Sequence, residues 1–126
     1  MTNRFASLSP DALAEAMVSA RSPTLVDVRE LARYEAGHIA GSVHVPVYDL
    51  GSRRASLPAS VAQRLVIIGD HRKRAHAAAT FLALIGFGDV YVLEGGIAAW
   101  SGPIEIGPAP PPPEGQGPGP VLRIVP

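Results

Sequence analysis

Cysteine is missing entirely from this chain of 126 residues. Disulfides, thiolate metal sites and cysteine nucleophiles are excluded together by that absence. An excess of charge is missing too: 11 Lys plus Arg stand against 11 Asp plus Glu. No global field draws nucleic acid or an anionic membrane to such a chain, so neither is an expected partner. Any binding has to rest on local charge. No apolar run approaches the roughly 20 residues that a membrane span requires. Nor does a basic, apolar and small-residue series follow Met1 as in a secretory signal. The expectation is a soluble, cytoplasmic protein, with one domain long enough to build a core.

What is present is arranged around Leu65 to Gly86. Leu65 to Ile68 is an unbroken aliphatic run, suited to a strand buried on both faces of a parallel sheet. From Ala75 the period changes. Ala75, Ala78, Ala79, Leu82 and Ile85 form one stripe of a helix that stops at Gly86. Between them lies the polar turn Gly69-Asp70-His71-Arg72-Lys73-Arg74. A turn from a strand's carboxyl end to a helix's amino end leaves N–H groups unpaired. The helix dipole adds roughly half a positive charge there, so the place favours an anion. The plainer alternative is that Arg72, Lys73 and Arg74 are solvated surface.

Upstream, Ser9-Pro10-Asp11 reads as a helix start, with Ser9 as cap and Leu8 and Leu13 spaced as a staple. Leu13, Ala16, Met17 and Ala20 make its buried stripe, and Arg21-Ser22-Pro23 ends it. Thr24 to Val28 is a second buried strand, with Asp27 inside it. A carboxylate buried bare costs several kcal/mol, so Asp27 needs a partner. Arg29 and the N–H groups of the next loop are the candidates, and a structural role outweighs a catalytic one. Glu30 to Ala36 reads as a short helix with Leu31 and Tyr34 inward. Ser42 to Val45 reads as a short strand. His38, beside Gly37, is expected to bond backbone carbonyls rather than act as ligand or base, and His44 has no assigned partner. Val47 to Leu50 suits a helical turn, and Leu57 to Ala62 a weak helix. Val90 to Leu93 is a third strand, and Ile97 to Trp100 a closing helical turn. Strands alternating with helices predict an α/β domain with a mainly parallel sheet flanked by helices.

The composition shifts at the end. Residues 1–102 form the domain and 103–126 a tail rich in proline and glycine, including Pro110 to Pro113. Polyproline II or disorder is the default for such a segment. Its last stretch, Val121 to Val125, is β-prone, with a sheet edge as a possible landing place, in cis or in a dimer.

Leu25-Val26-Asp27-Val28-Arg29-Glu30 followed by Tyr34 to Ser42, together with Gly86 to Trp100, resembles the two signature stretches of rhodanese-like domains. The resemblance spans roughly residues 7–101. It implies a compact α/β fold whose active members carry a cysteine at the start of a six-residue loop ending in arginine. That cysteine takes a sulfane sulfur and passes it to a nucleophile, with loop amides and helix dipoles stabilising the persulfide. The closing arginine corresponds to Arg74, and counting back places Gly69 where the cysteine belongs. The covalent mechanism therefore has no residue to run on.

Asp70 and His71 are placed for acid–base work, but a carboxylate gains nothing by attacking sulfane sulfur. Asp70 is expected to pair with Arg72 and Arg74. His71 and His76 with one aspartate are too weak a set for a metal, and no cofactor is expected. The reading is a catalytically silent domain whose loop, Gly69 to Arg74, binds a small oxyanion (thiosulfate, sulfate or phosphate) or a protein partner. Sulfur transfer through a thiol supplied by a partner is the alternative.

Overall fold

The computed structural model describes residues 5–108. Its elements, in order, are β1 (Ala6–Leu8), α1 (Pro10–Met17), β2 (Thr24–Asp27), α2 (Leu31–Ala36), β3 (His38–Ile39), β4 (Val43–His44), β5 (Leu65–Ile68), α3 (Arg72–Leu84), β6 (Val90–Leu93) and β7 (Ile104–Glu105). Short 3-10 turns at Val47–Asp49, Arg54–Ser56 and Ile97–Ala99 fill the connections. The main sheet runs β1-β6-β5-β2-β4 with every pairing parallel, and β3 and β7 form a separate antiparallel ribbon. This is the expected α/β domain with a parallel sheet flanked by helices.

Alternation along the strands divides the core in two. Val26, Val28, Leu65, Ile67, Val90 and Val92 face one side, where Ala75, Ala78, Ala79 and Leu82 of α3 cover them. Leu25, Val66, Ile68 and Leu93 face the other, against Leu13 of α1, Ile39 and Trp100. The helix stripes are what bury these strands on both faces; each Val, Leu or Ile so covered contributes about 1.5–3 kcal/mol. Ser9 caps α1 as expected, its side chain accepting from the Ala12 N–H at 3.1 Å.

Several expectations are corrected. Helix α1 ends at Met17, and Ala20 lies beyond it, exposed, so only Leu13 of that stripe is fully buried. Leu31 is 54 % exposed: a helix of barely two turns buries one residue of its face, and Tyr34 takes that place. Ile85 falls just past the end of α3 and is partly exposed. The segment Leu57–Ala62 forms no helix. The Arg54 guanidinium donates to the Pro58 and Ala59 carbonyls at 2.7 and 3.4 Å, and the Ser60 hydroxyl accepts from the Ala62 N–H, so backbone groups a helix would pair internally are taken. The strand expected over Ser42–Val45 forms only at Val43–His44, as β4, and a further short strand, β3, precedes it at His38–Ile39. Ala6-Ser7-Leu8 carries no strand signal of its own and forms β1 by pairing with the open edge of β6. The start of the tail is also ordered: Ile104–Glu105 pairs with His38–Ile39, and the Trp100 indole N–H donates to the Pro103 carbonyl at 3.2 Å. Val121 to Val125 lies outside the described residues. No described helix is long and apolar enough to cross a membrane.

Candidate functional site

The carboxyl ends of β2, β5 and β6 open at one end of the sheet, where open parallel sheets place their ligand crevices. A cleft of about 580 Å³ lies there. Gly69, Asp70, His71 and Arg72 form one wall, with His76 a turn further along α3. Glu94, Gly95 and Gly96 form the other. The two walls are joined directly, because the Ile97 N–H donates to the Gly69 carbonyl at 3.0 Å. Gly96 is required for that approach: a Cβ there would stand 2.5 Å from the Gly69 oxygen, and its φ of 64° already lies in the left-handed region.

The three basic residues expected in the loop, Arg72, Lys73 and Arg74, are the first turn of α3. Arginine and lysine are good helix formers, so the helix begins as soon as the loop has turned. His71 precedes it without making a side-chain capping bond, in contrast to Ser9 of α1. The first amides of α3 therefore have no intrahelical or side-chain acceptor. Of the basic residues, Arg72 lines the cleft, whereas Lys73 and Arg74 do not. Arg74 points instead to Glu30, at 3.8 Å, with both side chains about half exposed. Neither Arg72 nor Lys73 forms an ion pair among the described residues.

Asp70 does not pair with Arg72 or Arg74. Its oxygens face Arg29 at 3.9 Å and Arg33 at 3.5 Å. Arg29 is 5 % exposed and held by the fully buried Asp27: its Nε and Nη2 donate to the carboxylate at 2.8–3.1 Å, and its own N–H donates to Oδ1 at 3.0 Å. Both partners foreseen for Asp27, the guanidinium and a loop amide, are thus used. Arg29 Nη2 also donates to the Gly37 carbonyl at 2.7 Å. Asp27 is a strut, and Arg29 carries its support from β2 to the loop.

His38 is buried, and its Nδ1 lies 2.8 Å from the Tyr34 carbonyl. A carbonyl can only accept, so Nδ1 carries the proton, in keeping with the structural role expected of it. His44 has a partner after all: its Nε2 donates to the Arg29 carbonyl at 2.7 Å, and its ring stacks on Tyr34 at 4.5 Å. Tyr34 also stacks on His38 at 3.8 Å and donates its hydroxyl to the Ser42 carbonyl at 2.9 Å. Burial pushes the Tyr34 phenol above the ordinary tyrosine value. None of these three rings reaches the cleft. Among the described residues no cluster of His, Cys, Asp or Glu can hold a metal ion.

The comparisons with known proteins agree with this geometry. A profile described as rhodanese-like domain matches residues 9–103. Thiosulfate sulfurtransferase GlpE of Pseudomonas fluorescens strain SBW25 is 37 % identical over 86 residues, which is 65 % of this chain and 75 % of that one. The protein of the same name from Pseudomonas aeruginosa strain PAO1 is 28 % identical over 100 residues, 79 % of this chain and 87 % of the other. Among solved structures, the rhodanese-like domain of the Anabaena Alr3790 protein superposes with a TM-score of 0.71 at 28 % identity, covering 84 % of this chain and 80 % of its own. A Pseudomonas aeruginosa thiosulfate sulfurtransferase gives a TM-score of 0.74 at 23 % identity over 81 % of this chain and 20 % of that one, a likeness of fold alone. The resemblance of the two signature stretches, the parallel sheet and the cleft at its carboxyl end lead to one family: the chain belongs to the rhodanese-like domains.

Proposed function

We propose that this domain does not turn over sulfur but holds a small oxyanion, of the thiosulfate, sulfate or phosphate kind, in the cleft beside Gly69. The observation that carries the reading is Gly69 itself, at the position where the resemblance puts the nucleophile, in a chain without cysteine. Support for binding comes from the uncapped start of α3, whose amides and dipole favour an anion by about 0.3–1 kcal/mol per charge. Further support comes from the local balance of charge. Asp70 is answered by Arg29 and Arg33, which leaves Arg72 on the cleft wall as a positive charge without an ion-pair partner among the described residues. Glu94 opposes it from the exposed side of the other wall.

Titration with thiosulfate and with phosphate, followed by amide shifts or calorimetry, tests this. The expected outcome is saturable binding that shifts the Asp70 and His71 amides and weakens in Arg72→Ala. No saturable binding of either anion removes the idea. A thiosulfate–cyanide assay on the natural chain is expected to show no turnover. Turnover there would favour sulfur transfer by another route. Gly69→Cys is the control for the loop. The backbone at 69 is not left-handed, and the new Cβ would meet Ala75 at 3.2 Å, a contact that asks for a small shift.

A further inference from the structure

The ribbon of β3 and β7 leaves one edge open, and the pairing shows which backbone groups lie on it. The Ala40 N–H donates to the Pro103 carbonyl at 3.4 Å, which makes that couple a hydrogen-bonded one. His38 stands opposite Glu105 and Ile39 opposite Ile104. In an antiparallel ladder hydrogen-bonded couples alternate, so Glu105 turns its N–H and C=O toward β3. Ile104 and Ile106 turn theirs outward, and among the described residues neither N–H has an acceptor. The two isoleucines are spaced to share a face, and they are 46 % and 80 % exposed. Beyond them the Gly107 N–H donates to the Glu35 carbonyl at 2.8 Å, and Leu31, one turn up α2, is also exposed. A two-residue ribbon with an apolar, unpaired edge is marginal by itself, and three strands make a stable unit.

We propose that this edge receives a later segment of the same chain, Val121-Leu122-Arg123-Ile124-Val125, as a third strand. The segment is rich in β-branched and aliphatic residues, with Leu122 and Ile124 spaced to share one face and Arg123 on the other, and it is joined to Ile106 by residues 107–120. That connection is long enough to return to its own root. Closing a connection of this length adds little entropy cost over a shorter one, since the cost grows only logarithmically. Charge also matches: Arg123 is the one charged residue in the segment, and Glu105 lies 53 % exposed on the strand it would meet.

Hydrogen exchange on the full chain and on a chain ended after Pro108 is the test. The Ile104 and Ile106 amides are expected to be protected in the full chain and to lose that protection in the shortened one, with the rest of the domain unchanged. The full-length double variant Leu122→Lys/Ile124→Lys should lose it as well, while sedimentation of the natural chain gives the monomer mass throughout. Equal exchange of the two amides in all three proteins overturns the proposal. Protection that rises with protein concentration together with a dimer mass overturns it too, in favour of a second copy on the edge.

Discussion

At the scale of single residues, the chain separates what holds the loop from what would have reacted in it. Asp27 and Arg29 are both almost fully buried, and the guanidinium engages the carboxylate through two nitrogens. Replacing one member strands the other as an unpaired buried charge, which typically costs about 3–5 kcal/mol. Asp27→Ala is therefore expected to lower unfolding free energy by about that amount in urea titrations, and to broaden the amide of Asp70, whose carboxylate Arg29 faces. A loss below about 1 kcal/mol, the worth of an exposed pair, would show that Arg29 finds solvent instead. The sequence made this pair legible, because a carboxylate in an apolar run has to be answered nearby. It did not make the partners of Asp70 legible. Arg29 and Arg33 come from another element, and nearness along the chain pointed to Arg72 and Arg74.

At the scale of elements, the expectations that succeeded were those in which period and chemistry agree. The strand–turn–helix from Leu65 onward, the capped start of α1 and the stripe of α3 were all written in burial patterns. Those that failed were short pieces settled by tertiary bonds. Leu57–Ala62 gives its carbonyls to Arg54, and β1 exists because β6 offers an edge. The joint between α2 and the segment after β3 is of the same kind. It hangs on Tyr34, whose hydroxyl bonds the Ser42 carbonyl between two stacked histidines. Because burial raises the Tyr34 phenol, the unfolded chain gives up that proton first as the solution becomes alkaline. The associated stability is fully present below the ordinary tyrosine value of about 10 and is lost as pH rises through the higher folded value. Tyr34→Phe should flatten that alkaline decline. At neutral pH it should cost about 0.5–1.5 kcal/mol for the missing hydrogen bond. Melting curves at pH 7 and above pH 10 check both, and an unchanged alkaline slope in the variant would assign the decline elsewhere.

At the scale of the whole molecule, the question is where the folded unit stops. Composition drew the boundary after residue 102, and the family match ends at 103. Physical contacts run further. The Pro103 carbonyl takes both the Trp100 indole N–H and the Ala40 N–H. Ile104–Glu105 pairs with β3, and Glu105 lies 3.6 Å from the buried His38 ring. Gly37 receives Arg29 Nη2, and a Cβ on it would touch Ile104 at 3.4 Å, so the strap lies over the support of the loop. A chain ended after Gly102 loses the bonds made to Pro103, Ile104 and Glu105, each worth about 0.5–1.5 kcal/mol net. It should melt lower than one ended after Pro108, by about 4–8 °C for every kcal/mol removed. Trp100 fluorescence should shift to the red as its indole N–H and ring turn to water. If the two lengths melt together and emit alike, the strap adds nothing, and the composition boundary is the physical one. If they separate as expected, the domain includes the first residues of what reads as tail, and the open edge those residues carry is part of its surface.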